Sequence, residues 1–266
     1  GYIKRIPTDA YSIQHRGGRG VKGMTRREED VAKTMFTCST HDYVMFFTTR
    51  GRTYRLKGYE VPEGSRNSKG MNIVNLLPLE AGEKVSAMIR VPEYDPDAFL
   101  CMVTRKGIIK RTSLDAYRNV RKNGVIAINL DDDDELAWVR LTSGNDDLLI
   151  ATRKGMGIRF NENDARPLGR TARGVKAIEL REGDEVVGME VLDDAKAVLT
   201  VSTTGYGRRS EPSDYRLQSR GGKGTINYRT ETYGDVAAIA VVDESGDVIF
   251  ILSLIHISEP TRLRCI

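Results

Sequence analysis

One pattern occurs four times along this chain, with its Gly-x-x-x-Arg part also at the start, and it limits what the chain can fold into. An apolar run leads through one to three small or polar residues to a glycine, and a basic residue follows four places on. It reads Val44-Met45-Phe46-Phe47-Thr48-Thr49-Arg50-Gly51 with Arg55, then Leu100-Cys101-Met102-Val103-Thr104-Arg105-Lys106-Gly107 with Arg111. It returns as Leu148 to Gly155 with Arg159 and as Val198 to Gly205 with Arg209, and the chain opens in the same phase at Gly1 with Arg5. The anchor glycines 1, 51, 107, 155 and 205 are separated by 50, 56, 48 and 50 residues. A second anchor keeps the register. Nineteen residues after four of these glycines stand Gly20, Gly70, Gly174 and Gly224, preceded by Arg19, Lys69, Arg173 and Lys223; the third copy is two residues shorter, at Lys122-Asn123-Gly124. A period near 50 describes units that cannot bury their faces alone and must stack or array radially.

Each unit reads as β-strands. Short runs rich in Val, Ile, Phe, Tyr and Thr are broken by Gly, Pro or Asp pairs, and few stretches sustain a helical period. About four strands fit into such a length. The sequence therefore predicts an all-β, propeller-like disc of four-stranded blades, five recognisable and a sixth truncated. The corresponding domain spans residues 1–253. The sixth copy starts at Gly246-Asp247-Val248-Ile249-Phe250-Ile251-Leu252-Ser253, but residues 254–266 carry neither anchor and read as a non-native or frameshifted tail. The start at Gly1 rather than methionine suits a piece of a longer protein.

Charge matters here by position rather than by sum. Lys and Arg number 41 against 37 Asp and Glu, a net charge of only +4. Yet Arg16, Arg19, Lys22, Arg26 and Arg27 crowd one acid-free stretch, while Asp131 to Glu135 is wholly acidic. Such segregation predicts a basic binding face and an acidic face turned away from it. The three cysteines, Cys38, Cys101 and Cys265, have no CxxC spacing. Cys38 and Cys101 read as buried free thiols in apolar runs, which favours a reducing cytoplasm. No run is long enough for a membrane-spanning helix, and no signal peptide is seen.

Two segments carry the binding chemistry. Gln14-His15-Arg16-Gly17-Gly18-Arg19-Gly20 offers three glycines and two arginines with nothing apolar to bury. Such a turn lets another molecule approach the backbone, and its N–H groups and forked guanidinia suit phosphate. A near copy stands at Gln218-Ser219-Arg220-Gly221-Gly222-Lys223-Gly224. The repeat makes Arg5, Arg55, Arg111, Arg159 and Arg209 one equivalent column, and Arg19, Lys69, Lys122, Arg173 and Lys223 another. Each column admits a structural reading, the side chain lying over an apolar edge. Two columns that stay basic in every copy favour a positive rim that contacts phosphates, with Lys22 beside it.

The residues Gln14 to Gly20 resemble the gyrase A box, whose usual second residue is Arg where this chain has His15. Gly1-Tyr2-Ile3-Lys4, Glu28-Glu29-Asp30, Thr40-His41-Asp42 and Val74-Asn75-Leu76-Leu77-Pro78-Leu79 match its surroundings, and the resemblance to the gyrase A C-terminal domain family covers roughly residues 1–253. It implies a β-pinwheel whose blades exchange a strand with their neighbours. It also implies positive wrapping of double-stranded DNA around the rim, with the box holding the wrap and closing the ring. The wrap would present a DNA segment for ATP-dependent negative supercoiling. The expected partners are the rest of the gyrase A polypeptide and the gyrase B polypeptide, as an A2B2 heterotetramer in the bacterial cytoplasm near the nucleoid. Neutral His15 would weaken one phosphate contact, or would only pack or donate a hydrogen bond. The related topoisomerase IV domain, with a degenerate or missing box, is one alternative. A protein-interaction propeller is another, although Trp-Asp dipeptides are absent.

No catalytic residue is expected in this segment. Gly18-Arg19-Gly20-Val21-Lys22-Gly23 fits a dinucleotide fingerprint in form, but the polar residues after it give no helix to receive a pyrophosphate. Gly224 separates Lys223 from Thr225 and breaks a Walker motif. The histidines His15, His41 and His256 have no ligand spacing, and Asp131–Asp134 lacks the pattern of a calcium loop, so no metal site is expected. In the family, ATP, Mg2+ and the cleaving tyrosine belong to other parts of the enzyme.

Overall fold

The computed structural model describes residues 1–8, 34–65 and 68–243. The box Gln14–Gly20, Lys22, the sixth copy and residues 254–266 lie outside them.

Apart from short 3-10 turns and the four-residue helix Thr230–Tyr233, the regular elements of the described residues are β-strands. The second repeat contains β2 (Tyr43–Thr48), β3 (Arg52–Lys57), β4 (Met71–Asn72) and β5 (Val85–Val91), after β1 (Tyr2–Ile3) of the first. The third contains β6 (Phe99–Thr104), β7 (Ile108–Ser113), β8 (Val125–Ile126) and β9 (Leu136–Thr142). The fourth contains β10 (Asp147–Thr152), β11 (Met156–Asn161), β12 (Val175–Lys176) and β13 (Val186–Val191). The fifth contains β14 (Ala197–Ser202), β15 (Gly207–Ser210), β16 (Thr225–Ile226) and β17 (Val236–Val242). Every sheet is antiparallel, and the orders are β5-β2-β3-β8, β9-β6-β7-β12, β13-β10-β11-β16, β17-β14-β15 and β1-β4. The short outer strand of each four-stranded sheet therefore comes from the following repeat. The strands β5, β9, β13 and β17 pack one against the next.

Strands β2, β6 and β10 are buried on both faces, which explains their unbroken apolar runs, whereas Leu199 and Val201 of β14 stay half-buried. Met45 and Phe47 of β2 enter the core shared with the third repeat, beside Leu100, Met102 and Ile128. Val44 and Phe46 face the other way, onto Tyr54, Ile73 and Leu77. The division repeats on β6, where Cys101 and Val103 join Ile150, Phe160 and Ile178. The core thus lies between repeats, and burying each such side chain contributes roughly 1.5–3 kcal/mol.

The first anchor is a hairpin device. Gly51 N–H donates to the Thr48 carbonyl at 2.9 Å, and Gly107, Gly155 and Gly205 do the same to Thr104, Thr152 and Ser202 at 3.1 Å. This is a turn closed by a left-handed glycine, with φ between +73° and +85° at the four positions. The Thr or Ser hydroxyl accepts the N–H four residues on, from Arg52, Ile108, Met156 or Tyr206. A register shift falls at the same Thr or Ser in each sheet. The glycine is also a docking point. The Gly155 carbonyl accepts N–H groups of Asn227 and Tyr228, and a Cβ there would sit 2.2 Å from the Tyr228 oxygen. Gly51 meets Ile128 in the same way. The second anchor is its counterpart: Gly70, Gly174 and Gly224 rest against the backbone of Ile3, Ile109 and Gly157 in the preceding repeat.

Two expectations change. Cys101 is buried, but Cys38 is exposed. Its run precedes β2 without forming a strand, and its neighbours Met35 and Phe36 are exposed too. The acidic run also does not form a separate face. Asp131 pairs with Arg173, Asp133 with Lys106 and Glu135 with Arg105.

Candidate nucleic-acid interface

The two basic columns have different surroundings. In the first, Arg55, Arg111, Arg159 and Arg209 lie on the third strand of their sheets and Arg5 just after β1, and Arg5, Arg55, Arg111 and Arg159 reach into the next repeat. Arg5 donates through Nε to the Val61 carbonyl at 2.9 Å and pairs with Glu63 at 2.8 Å. Arg55 stacks on the Tyr43 ring and donates to Tyr94 Oη and the Arg118 carbonyl. Arg159 pairs with Asp147 at 2.7 Å and donates to the Pro212 carbonyl at 2.8 Å. Arg209 also has interaction partners. Arg111 departs furthest from the rim expected for it. Its side chain is only 4% exposed and lies 2.9 Å from the fully buried Glu162 carboxylate. It also donates to Asn163 Oδ1 and the Gly144 carbonyl, and it stacks on Phe99. A guanidinium held this way fastens one repeat to the next and has no fork left for phosphate.

The second column lies on the loops that lead into the exchanged strands. Lys122, Arg173 and Lys223 are exposed, while Lys69 is half-buried over the Tyr2 ring. Lys122 and Lys223 make no hydrogen bond or ion pair among the described residues, whereas Arg173 pairs with Asp131 at 2.5 Å. Sequence reasoning missed several neighbours on these loops and on β12. Arg121, Arg166, Lys176 and Arg216 are exposed, and no ion pair holds any of their side chains among the described residues. The signal was available, because Arg166 and Arg216 stand eight residues before Gly174 and Gly224, the second anchors.

In the second box-like turn, several groups face the protein. Gln218 N–H donates to the Arg159 carbonyl at 2.9 Å, and Gly221 N–H to Ala177 at 2.6 Å. The Arg220 guanidinium donates to the carbonyls of Asp164 and Lys176 at 2.8 and 2.9 Å. The Gly222 carbonyl accepts Glu179 N–H. Gly224 needs its positive φ of +72° against Gly157. Only Ser219 and Lys223 of this turn are fully exposed. The turn fastens the exchanged strand and presents Lys223 outward.

The hairpin side differs again. Arg50 pairs with Glu80, Arg105 with Glu135 and Glu185, Lys106 with Asp133, and Arg153 with Glu185. Lys106 holds the Asp133 carboxyl below the usual range. The hairpin charges are therefore largely neutralised, and uncompensated positive charge gathers on the exchange loops. No group of His, Cys, Asp and Glu among the described residues is arranged to hold a metal ion.

The family model for the DNA gyrase C-terminal domain, beta-propeller, matches residues 1–39, 42–92, 98–143, 146–193 and 196–243, one segment per repeat. This chain belongs to that family. The DNA gyrase A polypeptide of Clostridium acetobutylicum is 55% identical over 174 residues, 65% of this chain and 21% of the relative. That of Staphylococcus epidermidis is 52% identical over the same length, 65% of this chain and 20% of the relative. The chain thus spans about a fifth of the length of the curated relatives it matches. A solved gyrase A C-terminal domain superposes with TM-score 0.73 at 26% identity, over 92% of this chain and 80% of that one. A topoisomerase IV C-terminal domain superposes with TM-score 0.72 at 23% identity, over 92% and 76%, and shares the fold. In this gyrase-family domain no helix among the described residues is long and apolar enough to cross a membrane.

Proposed function

We propose that this domain binds double-stranded DNA without sequence preference and wraps it in the positive sense along the edge that carries the exchange loops. The observation behind this reading is the recurrence of exposed basic side chains at one step of the repeat: Arg166 with Arg216, and Arg173 with Lys223. Lys122 and Lys176 extend the row. A series of such groups on successive units neutralises phosphates along a curved path and releases counterions. Curving 20–30 base pairs costs about 1–6 kcal/mol, so flexible sequences are expected to bind better. In the longer polypeptide the wrap would present a segment to the ATP-driven enzyme, assembled with gyrase B as A2B2 in the bacterial cytoplasm. ATP and Mg2+ would act elsewhere in that assembly. The box sequence Gln14–Gly20 supports the gyrase rather than the topoisomerase IV assignment.

The test is to bind the purified chain to relaxed circular DNA, seal nicks with ligase and read the linking number at two salt concentrations. A positive shift at low salt that fades at high salt is expected. Binding without a shift would refute wrapping, and no binding would refute the whole reading. The double variant Arg173→Gln/Lys223→Gln should flatten the plot of log affinity against log salt by about 1–2 units, near 0.9 per lost contact.

A further inference from the structure

An open cleft of about 780 Å³ lies where the second, third and fourth repeats meet. Its walls carry Arg52 and Arg55 of β3, Arg121 from the loop before β8, and Arg170 from the loop before β12. The one acid among its lining residues is Asp115, which Arg118 holds at 2.8 Å. Arg52 donates to the Asn123 carbonyl and Arg55 to the Arg118 carbonyl, both at 2.7 Å, so both stems are fixed along one wall. The guanidinia of Arg121 and Arg170 have no hydrogen bond or ion pair among the described residues. Against the backbone of Arg170, the fully buried Lys110 donates through Nζ to the carbonyls of Ala127 and Arg170. Burial first, and the charge of Arg170 second, push its pKa down to about 7. The fold thus holds several cations close together with one acid, and that acid is already paired. Such crowding is unfavourable until an anion enters.

We propose that this cleft seats a phosphate group of the DNA backbone and that the bound phosphate ties three successive repeats together. The proposal rests on the DNA-binding reading above. Guanidinium forks match phosphate oxygens in pairs, and Thr171 and Asn119 line the same space with further polar groups. The cleft differs from the exposed loop row because its arginines converge from three repeats onto one volume. A phosphate there would fix the angle between repeats as well as hold the duplex.

The test uses Arg121→Gln/Arg170→Gln, which removes no side-chain hydrogen bond seen among the described residues, beside Arg173→Gln/Lys223→Gln. Thermal melts first establish that both variants fold. The salt slope for duplex binding should fall by about 0.9 in the cleft variant, the loss of one phosphate contact. An unchanged slope there, with a reduced one in the Arg173/Lys223 variant, overturns the cleft and leaves the DNA reading standing. Unchanged slopes in both variants overturn both. Pyrophosphate supplies the second arm. If it raises the melting temperature of the parent but not of the cleft variant, the phosphate chemistry holds. Joined to an unchanged duplex slope, that result assigns the seat to a free phosphate compound and refutes its role on DNA.

Discussion

Replacing Arg111 with methionine separates a clamp between repeats from a contact with DNA. Arg111 and Glu162 are 4% and 0% exposed and lie 2.9 Å apart, so solvent screens their attraction little. The Glu162 carboxylate also accepts Thr142 Oγ1 at 2.7 Å, Gly144 N–H at 2.9 Å and Asp146 N–H at 2.8 Å. Methionine fills much of the same volume but leaves a buried carboxylate with only neutral donors and no counter-charge. Breaking a buried pair from one side costs about 3–5 kcal/mol. At roughly 2–4 °C per kcal/mol for a chain of this size, the melting temperature should drop by about 6–20 °C. The double variant Arg111→Met/Glu162→Leu should recover part of this, because the lone charge is gone while the neutral donors lose their acceptor. The coupling between the two sites should therefore exceed about 1.5 kcal/mol. Urea titrations and thermal melts followed by circular dichroism measure all four proteins. A loss below about 1 kcal/mol in the single variant, or additivity within about 0.5 kcal/mol, would refute the clamp. Held below its melting point, Arg111→Met should bind duplex DNA with an unchanged salt slope; a shallower slope would return Arg111 to the rim.

Two further perturbations probe the joints. Gly155→Ala combines a φ of +79° with a Cβ 2.2 Å from the Tyr228 oxygen, so it should cost more than about 2 kcal/mol. Gly183→Ala is the control: its φ is +65°, but its nearest neighbour is the flexible tip of Lys154 at 3.5 Å, and about 1–2 kcal/mol is expected. Equal losses in urea titrations would contradict the docking role of Gly155. Lys110 supplies a pH test. Its pKa falls from 10.5 in the unfolded chain to about 7 in the folded one, so between these values the unfolded chain binds more protons. Stability should be flat in this contribution below pH 7, rise toward pH 10.5, and gain up to about 5 kcal/mol relative to Lys110→Met over that window. Parallel pH profiles for the two proteins would rule it out.

The repeat was legible because its anchors are backbone requirements. Gly51, Gly107, Gly155 and Gly205 need a left-handed conformation at the hairpin, and Gly70, Gly124, Gly174 and Gly224 need one where the exchanged strand begins. No other residue meets both the φ and the close approach, so the spacing survives in the sequence. The exchange of strands was carried only by the resemblance. A two-residue strand such as Val175–Lys176 gives no periodicity, and nothing local says that its partner is Ile108–Ile109 of the preceding unit. Cys38 misled for a related reason. Met35 to Cys38 has a strand-like composition, but β2 begins at Tyr43, and the run before it stays exposed.

The basic columns looked alike in one dimension because both recur with the repeat, and the backbone beneath each tells them apart. Arg55, Arg111 and Arg159 sit on strands whose outer neighbours belong to the next repeat, so each long side chain leans onto a carbonyl or carboxylate of that unit. A residue so placed is basic at every copy because the joint between repeats needs a donor there, which is a sufficient cause without any ligand. Lys122, Arg173 and Lys223 precede the glycine of a loop at the outer end of the exchanged strand and point into solvent. Across that junction the acceptors are already occupied by backbone donors and by Arg220, which takes the carbonyls of Asp164 and Lys176. Lys122 and Lys223 consequently keep their charge uncompensated, while Arg173 shares its charge with Asp131 at the surface. Recurrence alone therefore cannot distinguish a joint from a binding surface. Recurrence of a cation that the fold leaves without a partner points outward, and in this chain it selects the exchange loops.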